Sequence, residues 1–178
     1  MTLHAFPEPP PVVRQVLNTL TILRIGTPAE IEALGDTENL PRPWLPGTLP
    51  AEFRKPVWRW CDEVATWLNS QLAWRPMRLI PGCWPKHPHL VHELPLLACL
   101  RGLAERDNAP ERLEEWHRQT LPQFFERLTL ALGESTCSSG SHQDWPAASR
   151  HHAYCTDKAV AERRELFEFL EYNEKEKP

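Results

Sequence analysis

The sequence predicts an all-α protein, a small helical domain around a long helical hairpin with a proline-rich N-terminal segment. Three observations predict it. Apolar residues recur at three- and four-residue spacing along most of the chain, no stretch alternates as a half-buried strand does, and the 19 prolines fall mainly between the periodic segments. A chain of 178 residues has room for one core. The punctuation divides it into a proline-rich segment with short helices over 1–50, a helical core over 51–150, and a final helix with a charged tail over 151–178.

The first prolines, Pro7 to Pro11, predict extended polyproline-like chain. Val12 to Ile25 then predicts a helix with Val13, Val16, Leu17, Leu20 and Leu23 on one side, stopped by Gly26. Thr27, Pro28 and Glu30 form a capping-box pattern for a short helix closed by Gly35. Residues 36–50 are a proline-broken loop. From Pro56 to Leu72 the stripe Val57, Trp60, Cys61, Val64, Trp67, Leu68 and Leu72 is the strongest helical signal in the chain. His87 to Arg106 is the next helix, which Pro95 is expected to kink or split. A further long helix, capped by Asn108 and ending at Gly133, buries Leu113, Trp116, Phe124, Phe125, Leu128 and Leu132, with Pro122 as an interruption. After a polar, serine-rich loop, Thr156 caps a last helix to about Glu171 that carries Val160, Leu166, Phe167 and Leu170.

The formal net charge of -4 offers no general attraction to phosphate backbones. One basic stretch, Arg54, Lys55, Arg59, Arg75, Arg78 and Lys86, is the local exception. No apolar run reaches the roughly 20 residues of a membrane span, and no secretory leader is recognisable, so the expected location is the cytoplasm. Five scattered cysteines make no disulfide framework, and any chemistry they have is thiol or metal chemistry.

The chemistry concentrates in "IPGCWPKHPHLVHEL", Ile80 to Leu94. Cys83 and His87 are four residues apart there, and Cys137 and His142 are five apart in "CSSGSH". One pair precedes the first hairpin helix and the other follows the second, so an antiparallel hairpin carries both pairs to one edge. Together they are candidate ligands for a tetrahedral Cys2His2 zinc site, which if filled would be structural because four protein ligands leave no position for water. His151, His152 and Cys155 are substitutes nearby in sequence. The competing reading is a rigid entry to a helix, with Trp84, Pro85 and Pro88 fixing the backbone and Cys83 a small buried side chain.

Other motifs carry less. "HLVHE" lacks the histidine spacing of a zinc-protease helix, and His89 with Glu93 reads as a surface pair. "EEWHRQ" puts Trp116 and His117 amid carboxylates, but no nucleophile or oxyanion loop accompanies them, so Trp116 reads as a core anchor and His117 as a boundary residue. The glycines stand singly, which excludes a glycine-rich phosphate loop, and Cys61 and Cys99 read as inert small hydrophobes.

In the order "WRWCDEVATWLNSQLAW", "IPGCWPKHPHLVHEL", "EWHRQTLPQFFERL" and "CSSGSH", the chain from Val57 to His142 resembles small uncharacterised actinobacterial proteins of conjugative plasmids, integrative elements and phages. The resemblance singles out Cys83, Trp84, His87, Trp116, His117, Cys137 and His142, and implies a mobile-element setting without an assigned activity. This chain departs from it at Gly82, where a second proline is usual, and at Pro95.

The expected function is therefore a non-enzymatic accessory or protein-interaction protein of an actinobacterial mobile element, serving plasmid transfer or maintenance, with zinc as its only cofactor candidate and no catalytic residues. Trp44 or the final helix is the expected contact surface, and another protein the expected partner. The alternatives are a nucleic-acid-binding regulator using Arg54 to Lys86, and a small metal-dependent enzyme centred on His87, His117 and Cys137.

Overall fold

The computed structural model describes residues 2–133, 137 and 141–175. Among them there is no strand, and the all-α class expected from the sequence is the one observed. The helices are α1 (Pro11–Ile25), α2 (Pro28–Ala33), α3 (Ala51–Gln71), α4 (Pro88–Glu105), α5 (Glu111–Glu115), α6 (Leu121–Leu132), α7 (Ala148–Tyr154) and α8 (Asp157–Lys175). They fall into two compact units, Met1–His142 and Gln143–Pro178.

In the first unit, α1 starts on Pro11, whose missing N–H costs nothing at a helix N-terminus, and buries Val13, Val16 and Leu17. It stops at Gly26, whose N–H donates to Ile22 O at 2.7 Å. The backbone approaches so closely that a Cβ on Gly26 would lie 2.5 Å from that same oxygen. The expected capping box is present on α2: Glu30 N donates to Thr27 Oγ1 and Thr27 N to Glu30 Oε2. The Thr27 N–H, and then the Thr27 hydroxyl, donating to Glu30 Oε2, hold the Glu30 carboxyl below its ordinary value.

The stripe of α3 is buried as its periodicity predicts, with Val57, Trp60, Cys61, Val64, Trp67 and Leu68 all in the core. The helix nevertheless begins at Ala51 rather than Pro56. Pro56 lies just past the first turn, and the carbonyl it leaves without a donor belongs to Glu52, an exposed residue, so the loss is small.

Two long helices make the hairpin. α4 runs unbroken through Pro95, contrary to the expected split; Leu94, Pro95, Leu97 and Ala98 are all buried, and this packing holds the helix on both sides of the ring. The return helix begins at Pro110 as its N-cap, not at Asn108. Asp107 takes the turn instead, its Oδ1 accepting from Ala109 N at 3.3 Å. Between α5 and α6 the chain widens into one π-helical segment, Trp116–Thr120, and Leu121 N donates to Trp116 O. Pro122 explains the widening: in an α-helix its ring would press on the carbonyl of Arg118. Antiparallel register follows from the cross-contacts, with Glu93 paired to Arg127 at 2.9 Å near one end, and Leu97 O and Arg101 facing Trp116 and His117 further along. Gly133, with φ 54°, ends α6.

The second unit packs α7 on α8. Thr156 Oγ1 accepts from Ala159 N at 3.3 Å, the expected cap, and the Arg163 guanidinium lies 3.7 Å from the centre of the Tyr154 ring. Val160 is half-buried and Leu166 and Phe167 are exposed, while the side chain of Leu170 lies outside the described residues.

These packing differences separate global from local stability. Phe124 is almost completely enclosed, so Phe124→Ala is expected to cost about 3–5 kcal/mol in urea unfolding. α2 has no buried residue. Thr27→Ala should therefore change the global midpoint by less than about 0.5 kcal/mol while hydrogen exchange at residues 29–33 quickens, because the cap holds only that helix.

Candidate metal centre

The turn that enters α4 is stiffened by proline. Pro85 lies in a single 3-10 turn, Trp84–Lys86, and Pro88 opens α4 with His87 as its N-cap. α3 fixes this turn in two places. Asn69 Nδ2 donates to Ile80 O at 2.9 Å while Ile80 N donates to Asn69 Oδ1 at 2.8 Å, and Trp84 Nε1 donates to Asp62 Oδ1 at 3.0 Å. Trp84 is buried and stacks at a tilt on Trp58, with ring centres 5.5 Å apart.

Held this way, Cys83 and His87 face one another, Sγ to Nε2 3.3 Å. Cys137 and His142, from beyond the end of α6, complete a cluster in which one donor atom of each residue lies within 4.8 Å of every other. The donors of a tetrahedral zinc centre would be separated by about 3.3–3.8 Å, given bonds of about 2.0–2.3 Å, so the cluster needs only a small contraction to close on an ion. The His87 and His142 rings meet edge to face with centres 5.0 Å apart. Cys137 is buried; Cys83, His87 and His142 are half-buried.

The electrostatics suit a cation. Burial pushes the Cys83 thiol up, and its hydrogen bond and charge interaction with Cys137 push it further, against a smaller opposing pull from Lys86. Burial, then His142 and His89, hold His87 below the ordinary imidazole value. The Cys83 thiol thus resists ionising and the His87 imidazole stays neutral, until an ion supplies the positive charge and takes the place of the thiol proton. The arrangement can thus hold a metal ion.

No family model matches the chain, and neither the curated proteins nor the solved structures contain a match to it.

Trp116 and His117 are engaged on α4 rather than at this cluster. Trp116 is buried, its Nε1 donating to Leu97 O at 3.4 Å. His117 Nε2 accepts from Arg101 Nη1 at 3.0 Å, and Arg101 also donates to Glu105 Oε1 at 2.8 Å. Arg101 is the buried charge of the described core, under the rings of Phe6, Trp67 and Trp116. His89 is not paired with Glu93 as expected: Glu93 goes to Arg127, and His89 Nε2 is buried with no hydrogen-bond partner among the described residues. Trp44 packs on the core, and Trp74, at 92%, and Trp145 are the tryptophans exposed among the described residues. Cys61 and Cys99 are inert, both thiols raised by burial, that of Cys99 to about 12. In α7, His151 and Cys155 lie one turn apart with Nε2 to Sγ 3.6 Å. Asn69 and Asp62, which hold the ligand turn, carry no spacing signal that marks them in the sequence.

Two measurements follow. Asn69→Ala strips partners from both polar groups of Ile80 and is expected to destabilise the first unit by about 1–3 kcal/mol in urea unfolding, with weaker metal uptake. Burial first, and the Arg101 charge second, hold His117 below its ordinary value. The unfolded chain therefore takes up its proton first, so this contribution is intact above about pH 6.5 and is lost as pH falls through the lower folded-state value. The unfolding midpoint should drop on acidification from pH 7, and His117→Gln should flatten that slope.

Proposed function

We propose that this chain is a non-enzymatic protein-interaction protein whose hairpin is closed by one structural zinc on Cys83, His87, Cys137 and His142, and that it serves transfer or maintenance of an actinobacterial mobile element. The convergence of four soft and borderline donors from two distant segments carries the metal part of the reading. Zinc suits two thiolates and two imidazoles better than calcium or magnesium, which take oxygen ligands. Four protein ligands fill the coordination shell, leaving no position for a catalytic water, and His117 is engaged by Arg101 rather than turned to the cluster. That favours a structural centre over the metal-dependent enzyme.

The nucleic-acid reading has less support. Arg54, Lys55 and Arg59 belong to the first half of α3 and Arg75 and Arg78 lie beyond its far end, a helix about 31 Å long at 1.5 Å per residue. Arg54 is also spent on Leu49 O and Arg78 on the Phe125 ring. Protein interaction is supported by exposed apolar side chains, including Trp74 at 92% and Leu130 at 83%, and by the exposed Leu166 and Phe167 of α8. Five free cysteines fit a reducing cytoplasm. The mobile-element setting rests on the sequence resemblance, and its check is the genomic neighbourhood, where transfer or maintenance genes are expected and a housekeeping operon would overturn it.

Protein purified without chelator should carry one equivalent of zinc, and Cobalt(II) in its place should give the absorption of a four-coordinate, two-thiolate centre. A Cys83→Ala, Cys137→Ala double variant should carry none; equal metal in both proteins would remove the zinc reading. At free zinc a thousandfold above its Kd, the metal is expected to contribute about 4 kcal/mol to the unfolding free energy, a contribution that chelation removes.

A further inference from the structure

The extended segment Thr2–Pro10 lies on α3 through contacts of the kind a bound peptide makes. Trp67 Nε1 donates to His4 O at 2.8 Å and Trp60 Nε1 to Pro7 O at 2.9 Å. Gln71 adds a pair of longer contacts, Oε1 accepting from His4 N at 3.4 Å and Nε2 donating to Thr2 O at 3.5 Å. All of these read backbone. Thr2 to Ala5 are exposed, and the one buried side chain in the segment is Phe6. It sits edge-on to Trp67, ring centres 5.2 Å apart, with the Arg101 guanidinium 5.6 Å from its ring centre.

The spacing of donors matches a polyproline helix. From Trp60 to Trp67 an α-helix rises about 10.5 Å, and from Pro7 back to His4 a polyproline chain covers about 9.3 Å; from Trp67 to Gln71 and from His4 to Thr2 both distances are about 6 Å. His4 O and Pro7 O, one polyproline turn apart, thus each meet an indole donor of α3. Such a segment arrives with its backbone already extended, and one aromatic anchor gives it register.

We propose that the surface formed by Trp60, Trp67, Gln71 and Arg101 is a binding site for extended, proline-flanked peptide segments carrying one aromatic anchor, and that Thr2–Pro10 is its resident occupant, replaced by a segment of the same chemistry from a partner protein. The donors belong to α3, and Arg101 to α4, so this surface persists when the occupant changes. Beyond Phe6, the segment is tethered among the described residues by the exposed pair Glu8 and Arg14, at 2.9 Å. Pro9, Pro10 and Pro11 form a stiff boundary with α1, so release of the segment ends there. The site uses none of the metal donors. It rests on the interaction reading only for the existence of a partner, and the test below reads peptide binding itself, so its failure leaves the zinc reading standing.

The test uses the full chain with a site for a sequence-specific protease inserted between Glu8 and Pro9, cut after folding. The cut chain is expected to keep its helical circular dichroism and to take up a fluorescent Thr2–Pro10 peptide saturably, by anisotropy. The same peptide with Phe6→Ala should bind at least ~10-fold more weakly, as loss of a sole buried anchor does. The uncut chain, where the tethered segment competes, should also bind at least ~10-fold more weakly. Trp67→Phe, which keeps a ring but removes the donor to His4 O, should weaken uptake about 5-fold. Equal binding of the Phe and Ala peptides, absence of saturable uptake by a folded cut chain, or loss of helical signal on cutting would each overturn the proposal, the last by showing that the segment is a fixed part of the core.

Discussion

Everything at the candidate metal centre depends on the burial of α4 against the helix that follows it. Leu90, Leu94 and Leu97 on one side and Trp116, Phe124 and Leu128 on the other are all but completely removed from water. That forces the chain to return on itself. A helix of 18 residues spans about 27 Å, so the only way for Cys137 to come near Cys83 is for α5 and α6 to retrace that distance. The hairpin packing is therefore the long-range part of the site, and the rigid Trp84–Lys86 turn is its local part.

α3 serves both halves of the first unit. Its core stripe packs on α1 and α4, while several of its polar groups make directional contacts: Asp62 and Asn69 fix the turn bearing Cys83 and His87, and the indole N–H groups of Trp60 and Trp67, with Gln71, hold Thr2–Pro10. Arg101 joins the Thr2–Pro10 arrangement to the hairpin, through Phe6 and Trp67 on one side and Trp116 and His117 on the other. A buried guanidinium is costly unless its charge is matched, and here Glu105, the neutral imidazole of His117 and three aromatic faces share that task. The π-helical segment contributes by turning Trp116 into the core and His117 toward the arginine, so Pro122, which enforces it, shapes a contact several residues away.

The helical class was legible because a buried face imposes its period on the residues that make it: the stripe from Val57 to Leu68 and the pattern from Leu113 to Leu128 announce which side is inside. The Thr27 capping box was legible because its partners are three residues apart. Proline was read too strictly. Pro56 and Pro95 lie within helices whose packing outweighs one lost hydrogen bond, and Pro122 produces a widened turn rather than a break. The Cys/His pairs were visible by spacing, and the route that joins them came from the hairpin alone. What left no trace was contact between a side chain and remote backbone. Trp60 and Trp67 read as core residues, which they are, but their indole N–H groups need acceptors, and those acceptors lie on residues more than fifty positions away. Asn69 is similar: an amide that satisfies both polar groups of a loop residue has no periodicity to betray it. Glu93 chose Arg127 over His89 because the hairpin brought a stronger, always-charged partner within reach.

The two ends of the hairpin are physically unequal, and this gives the cluster its place in the stability of the fold. One end is closed covalently by the short connection from Arg106 to Pro110, so that end costs little entropy to bring together. The other end has no covalent closure: Cys83 and Cys137 come from segments far apart in sequence, and packing along the helices brings them side by side, where they share a hydrogen bond. A link across that end closes a loop of about 55 residues, and a cross-link of that size restrains the unfolded chain by about 4 kcal/mol in the chain-entropy model, if it stays formed there. An ion that binds only the folded arrangement stabilises by its affinity instead, and the gain disappears with the ion. Either way the effect falls on the part of the hairpin with no covalent closure of its own, at the point where fraying of α6 would begin. The donors of a site there need only be soft, neutral or ionisable, and close together, which is what the arrangement of Cys83, His87, Cys137 and His142 provides.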